Sequence, residues 1–275
     1  MSGNLKTYIA IVAAVCLIFS AYSLIVITSL YRETARNNEK VAIYFNTELE
    51  KILNGIGDIA YNIIYNSYSL TLVSFDSGDA FTQEELNCAG NLKKDIYSCS
   101  ISSSLIEDIM EYFPYSDRII GKNGYFSSNV YFRSKLMERF EEATDENYMR
   151  WKETLFTHDT GGFYCEADLM GEPVIYYYCS VPFPLEKTSR RMVVVEIDRD
   201  GLKDILTDLM QRGEYSYIAL TDDDGRVFTE YGTLPFSSTD ELYRQQRNYS
   251  ISSVESELWS LKCVTVQEHR TGVVH

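Results

Sequence analysis

The sequence predicts an α+β protein in which an N-terminal transmembrane helix runs on into a long stalk helix, followed by two modules built on antiparallel sheets. Three observations predict it. Thr7 to Tyr31 is an apolar run with no charged residue between Lys6 and Arg32. Ala42, Phe45, Leu49, Ile52, Ile56, Ile59 and Ile63 then recur at alternating spacings of three and four, which keeps one apolar seam on a helix. Beyond them the pattern changes to short β-rich segments punctuated by turns. The chain divides accordingly into a tail over 1–7, a membrane helix over 8–31, a stalk over 32–70, a membrane-distal module over 71–185 and a smaller membrane-proximal module over 186–275.

The apolar run gives a helix of about 38 Å, enough to cross a hydrocarbon core of about 30 Å with some tilt. A cleaved signal peptide has a shorter apolar core, about 7–15 residues, and a small-residue cleavage site. Cys16 follows Val15 and sits in mid-run, which argues against a lipoprotein. Arg32, Arg36 and Lys40 outnumber Lys6 and the amino terminus, so the flanking charges alone favour a cytoplasmic C-terminal side.

In the stalk, Asn46, Glu48, Glu50, Lys51, Asn54 and Asp58 lie off the seam. Such a seam suits a parallel homodimer, with a helix laid against its own domain as the competing arrangement; Gly55 and Gly57 weaken it as an isolated helix.

Ile106 to Phe113 reads as a strand ending at Pro114, and Asp117 to Ile120 passes through Gly121-Lys122-Asn123-Gly124 into Tyr125 to Ser128 as a hairpin. Val130 to Thr157 reads as helix or loop. Gly162 to Asp168 and Val174 to Pro182 form a second hairpin, and Met192 to Ile197 is a buried strand rich in β-branched residues. Asp200 to Arg212 is a helix with Leu202, Ile205, Leu206 and Leu209 on one side. Tyr215 to Leu220, Arg226 to Glu230 and Leu258 to Val266 make the second antiparallel set. The Asp222-Asp223-Asp224-Gly225 turn between its first two strands lacks the spaced oxygen ligands of a calcium loop.

A net charge of −15 with no basic stripe excludes a nucleic-acid surface. Five cysteines lie outside the anchor, Cys88, Cys99, Cys165, Cys179 and Cys263, with no CxxC pair and three histidines, so no zinc or redox motif assembles and no cofactor is implied. Cys165 with Cys179 and Cys88 with Cys99 are close enough in sequence to be stapled in an oxidising compartment; five buried reduced thiols fit equally well. No nucleophile elbow, HExxH, Walker loop or dinucleotide fingerprint is present, and the expectation is that the chain is not an enzyme.

The stretches IEDIMEYFPYSDRIIGKNGYFSSNVYF, GGFYCEADLMGEPVIYYYCSVPF, MVVVEID and YIALTDDDGRVF, placed after a membrane helix and a stalk, resemble the double Cache sensor domains of bacterial transmembrane receptors. The resemblance is nearest to those fronting membrane-bound AraC-type transcription regulators, where a strand ending in YFP precedes a short SDR strand. It implies two PAS-like modules outside the cytoplasm, a cytoplasmic tail over 1–7 and a small-molecule ligand in the distal module, against the vote of the flanking charges. It also implies a second membrane helix and an output domain; the sequence ends at His275 before either, as a fragment, a truncated product or a partner-dependent sensor would. An envelope-anchored structural or interaction domain is the alternative.

PAS-like modules bind ligands over the sheet, where Tyr131, Arg133, Trp151, Tyr164, Tyr176 and Tyr178 fall, and aromatic walls with one cation suit a small anion or sugar. With 22 tyrosines in the chain, ordinary packing accounts for many of them. The amino-acid-binding subgroup carries an Arg-x-Trp-Tyr element, of which only Arg150-Trp151-Lys152 is present, so an amino-acid ligand is not expected.

Overall fold

Ser2 to Ile64 form one uninterrupted helix, α1, of 63 residues, about 95 Å long. The computed structural model describes residues 2–73, 82–114, 116–139, 146, 149, 153, 162–167, 173–182, 190–213, 215–222, 227–233, 249–255 and 261–268. Within α1, Ile11–Leu30 has a mean hydropathy of 2.5 and no part of it is covered by protein. This segment is long and apolar enough to cross a membrane, with every backbone group satisfied inside the helix.

The stalk departs from the dimer-seam expectation. Phe45, Leu49, Ile56 and Ile63 are buried within the protomer, with Ile52 and Ile59 packed beside them. They lie against the chain's own sheets, so the apolar stripe is an intramolecular one. The stalk also ends earlier than residue 70. Asn66 breaks the helix by accepting the Tyr68 N–H at 2.8 Å, which starts a short helix, α2 (Ser67–Leu72). Its Nδ2 donates to Asp95 Oδ2, also at 2.8 Å, and so ties this junction to α3 (Gln83–Ser100). Thr82 and Glu85 close a capping box at the start of α3, and Ala89, Leu92 and Ile96 turn its apolar side inward.

The first sheet contains β1 (Ile106–Phe113), β2 (Arg118–Gly121), β3 (Gly124–Ser127), β4 (Gly162–Ala167), β5 (Pro173–Pro182) and β6 (Arg190–Ile197), in the order β3-β2-β1-β6-β5-β4 and antiparallel throughout. A helix, α4 (Ser128–Arg139), follows β3. Strand β6 therefore lies at the centre of this sheet, between β1 and β5, and not in the proximal module to which a boundary after residue 185 assigns it. The long reach between β3 and β6 in sequence conceals the pairing of β6 with β1.

A helix, α5 (Arg199–Gly213), leads to the second sheet, β7 (Tyr217–Asp222), β8 (Val227–Gly232), β9 (Tyr249–Glu255) and β10 (Leu261–Glu268), ordered β8-β7-β10-β9. Gly232 is needed where β8 passes β7: at φ +93 an added Cβ would meet the Ser216 carbonyl oxygen at 2.2 Å. One apolar core runs from Phe45 of α1 through Ile109 and Val195 of the first sheet to Leu206, Ile218, Phe228 and Cys263 of the second module.

Neither candidate disulfide pair fits the fold. Cys165 opposes Ile175 in the β4–β5 ladder, which leaves Cys179 four residues, about 13 Å, further along β5, too far to bond. Cys88 and Cys99 sit eleven residues apart on the rigid helix α3, about 16 Å in axial rise. Both are free thiols, as are Cys179 and Cys263.

Candidate functional site

The side chains of β1 alternate between two faces of the first sheet, and a bulge decides which face its acid joins. Ile106 pairs with Ile197, but Asp108 pairs with Glu196, so Glu107 is the extra residue. In a regular, unbulged strand Asp108 would share the face of Ile106, towards α1. The bulge turns Asp108 to the other face, directly opposite Glu196. Register continues the row: Glu196 opposes Tyr176 on β5, and Tyr176 opposes Tyr164 on β4.

Asp108 and Glu196 are 4 % and 6 % exposed. Tyr131 of α4 donates from its hydroxyl to Asp108 Oδ2 at 2.7 Å. Lys122 of the β2–β3 turn stands 3.9 Å from Asp108 Oδ1 and donates to the Glu107 carbonyl. Met110, Ile119, Phe132, Tyr178, Met192 and Val194 form a hydrophobic cluster with Tyr131 and Tyr176. The rings interlock, Tyr164 against Tyr178 at 5.4 Å edge-on and Tyr176 against Tyr178 at 6.0 Å between centroids.

Asp117 fixes the entry of α4 to this face. It adopts φ +49, a left-handed conformation that aspartate tolerates better than most side chains. Its Oδ1 accepts from Ser128 Oγ at 2.7 Å and from Tyr112 Oη at 3.0 Å, and its carbonyl accepts the Ser128 N–H. The SDR motif is thus a turn that anchors the first residue of α4, three positions before Tyr131.

Four of the residues expected at the site, Tyr131, Tyr164, Tyr176 and Tyr178, are brought together on this face. Arg133 is not among them: it is exposed on α4, while its neighbours Tyr131 and Phe132 turn inward. Trp151 lies outside the described residues. Among the described residues the charged groups placed at this face are the carboxylates Asp108 and Glu196, with Lys122 beside Asp108. Sequence reasoning passed over Asp108 and Glu196, although each is an acid interrupting an otherwise apolar strand, in IEDIMEYF and RRMVVVEI. Two carboxylates side by side under low exposure favour a positive charge beside them, and Lys122, 3.9 Å from Asp108 Oδ1, supplies one. Among the described residues no cluster of three or more His, Cys, Asp or Glu side chains could hold a metal ion.

No protein family's sequence profile matches the chain, and no curated protein matches it in sequence. Solved structures do match in fold. The sensory domain of the Campylobacter jejuni chemoreceptor Tlp3 with isoleucine bound is 12% identical, with a TM-score of 0.51, over 88% of this chain and 95% of that domain. The ligand-binding domain of the Pseudomonas aeruginosa PAO1 amino-acid chemoreceptor PctC, in complex with GABA, is 12% identical with a TM-score of 0.53, over 85% and 99%. The extracellular domain of the histidine kinase vpHK1S-Z8 is 11% identical with a TM-score of 0.50, over 86% and 94%. The fold is that of bacterial sensory domains. The likeness covers 85–88% of the chain.

Proposed function

We propose that this chain is the extracytoplasmic sensing part of a single-pass membrane signalling protein and that it binds a small amine-bearing or otherwise cationic molecule over the tyrosine face of the first sheet. The observation that carries the reading is the Asp108–Glu196 pair, set side by side by the β1 bulge beneath Tyr131, Tyr164, Tyr176 and Tyr178. Isoleucine and GABA, the molecules bound to the two chemoreceptor domains of like fold, both carry an amine. The role assigned to this chain is binding and not catalysis. A ligand would favour the arrangement of the sheet that it contacts best, and α1, packed on the other face of β5 and β6, would carry the difference toward the membrane. Output to a transcription regulator, a kinase or a chemoreceptor fits this scheme equally.

Self-association belongs, on this reading, to the side of α1 opposite the buried stripe. Ile43, Tyr44, Thr47, Lys51, Asp58 and Tyr61 share that side at helical spacing and are exposed. A second copy would meet the first there, in parallel, as the shared membrane orientation requires.

Thermal unfolding of the full chain in nanodiscs against panels of amines, amino acids, carboxylates and sugars tests the ligand class. At least one amine is expected to raise the melting temperature, and Asp108→Asn or Glu196→Gln to remove that shift. A rise produced only by carboxylates or sugars, or one that survives both substitutions, would refute the amine reading. No rise from any panel would favour an anchored interaction domain.

A further inference from the structure

Lys122 belongs to the Gly121-Lys122-Asn123-Gly124 turn between β2 and β3. That turn lies against the aromatic wall, since a Cβ added to Gly121 would meet a Tyr131 ring carbon at 3.2 Å. The lysine ammonium has three N–H donors. One goes to the carbonyl of Glu107, the bulge residue of β1, so Lys122 is tied to the same bulge that turns Asp108 to the tyrosine face. The ammonium reaches Asp108 Oδ1 only at 3.9 Å, beyond hydrogen-bond length. Two closer donors to Asp108 are neutral: the Ile109 N–H to Oδ1 at 3.0 Å and the Tyr131 hydroxyl to Oδ2 at 2.7 Å.

Exposure separates the two partners. The Asp108 side chain is 5 % exposed and that of Lys122 is 30 % exposed. A carboxylate at that depth is costly without a cation beside it, whereas the flexible stem lets the lysine ammonium swing out to water at small cost. Exchanging Lys122 for the ammonium of a ligand therefore keeps the buried charge compensated. A ligand ammonium, free of the tether to Glu107, can also approach Asp108 to hydrogen-bonding distance, where a charge-assisted bond is strongest.

We propose that Lys122 is a tethered cation that occupies the amine place of this face, so that a ligand amine binds by displacing it from Asp108. This rests on the amine reading above and adds its regulation: the empty face is closed by the chain's own lysine. A tethered group competes at a high effective concentration, so a molecule offering an ammonium alone is held off. A ligand prevails through the further contacts that its apolar part and its charge make with the rings of Tyr164, Tyr176 and Tyr178. Displacement also frees the Glu107 carbonyl, and with it the β2–β3 turn, from the lysine that joins them.

The test compares the native full chain with Lys122→Ala in nanodiscs. The probe is propylammonium chloride, which restores the carbons and the ammonium that the substitution removes. Propylammonium should raise the melting temperature of Lys122→Ala saturably, with half-saturation at a concentration at least about fivefold below that for the native chain. Propan-1-ol, its neutral counterpart, should not, and adding Asp108→Asn to Lys122→Ala should remove the effect. Lys122→Met keeps the stem in case the shorter side chain folds poorly; an amine that stabilises the native chain should bind this variant at least about fivefold more tightly. An equal response of native chain and Lys122→Ala, an effect that survives Asp108→Asn or is matched by propan-1-ol, or an amine that binds Lys122→Met no more tightly than the native chain would each overturn the tether. The amine reading itself is decided on the native chain: propylammonium acting on Lys122→Ala while no amine acts on the native chain would support the tether and refute that reading.

Discussion

Two glycines of α1 separated by one residue have opposite reasons to be there. A Cβ on Gly57 would stand 3.1 Å from the Tyr177 hydroxyl oxygen and 3.4 Å from the ring carbon that bears it, whereas one on Gly55 would meet nothing within 4 Å. Tyr177 belongs to β5, whose neighbours Tyr176 and Tyr178 face the candidate site while Tyr177 itself packs with α1 in the main core. Gly57 is thus the point of close approach between the stalk and the strand that carries the site. Gly55→Ala should stabilise the protein by about 0.5–1 kcal/mol, the usual gain of alanine over glycine in a helix. Gly57→Val should destabilise it by about 1–3 kcal/mol, because the tyrosine has to be displaced from a packed interface. Denaturant unfolding of the two variants checks the contrast, and a stabilised Gly57→Val would show that this contact is not a constraint.

At the scale of elements, the apolar stripe of the stalk shows what periodicity can and cannot tell. Spacings of three and four specify a helix with one buried side and say nothing about what buries it. Here the cover is the chain's own sheets, because Leu49, Ile56 and Ile63 enter the same core as Val195 and Leu206. Replacing Ile56, 1 % exposed, with Asp should therefore unfold the protomer and not merely weaken association. Cysteines placed at Thr47 or Lys51 should cross-link two copies in the membrane and a cysteine at Leu49 should not; the reverse pattern would restore the seam to a dimer. The strands of the first sheet were legible from their alternation and turns, β1 to the residue. Helix α3 is marked in sequence only by Thr82-x-x-Glu85 and the apolar positions 89, 92 and 96, a narrow stripe among polar residues. Strand β9 was overlooked because serines dominate it, and its place beside β10 is fixed by tertiary pairing. The tyrosines of the site were legible for the same reason as the strands that bear them. Asp108 was not, because its facing depends on a bulge of one residue that alternation cannot reveal.

For the molecule as a whole, the decisive question is the side of the membrane on which the modules lie, and flanking charge and fold give different answers to it. Arg32, Arg36 and Lys40 pull the C-terminal side toward the cytoplasm, yet the fold is shared with a histidine kinase's extracellular domain. The thiols give an experiment that does not depend on either argument. Cys88 is a free thiol on α3 with part of its surface open. Cys263 is fully buried in the second module, and burial pushes its thiol up to about 12, so it is almost wholly protonated at neutral pH and shielded from reagents. On intact cells a membrane-impermeant maleimide should therefore label Cys88, and in a chain with Cys99 also replaced by serine Cys88→Ser should lower the signal, while Cys263 should react only after denaturation. Labelling of Cys88 that begins only on lysis would place both modules in the cytoplasm and end the extracytoplasmic reading. Labelling of native Cys263 would instead show that the second module opens, since a thiol at that depth becomes reactive only when β10 loses its neighbours.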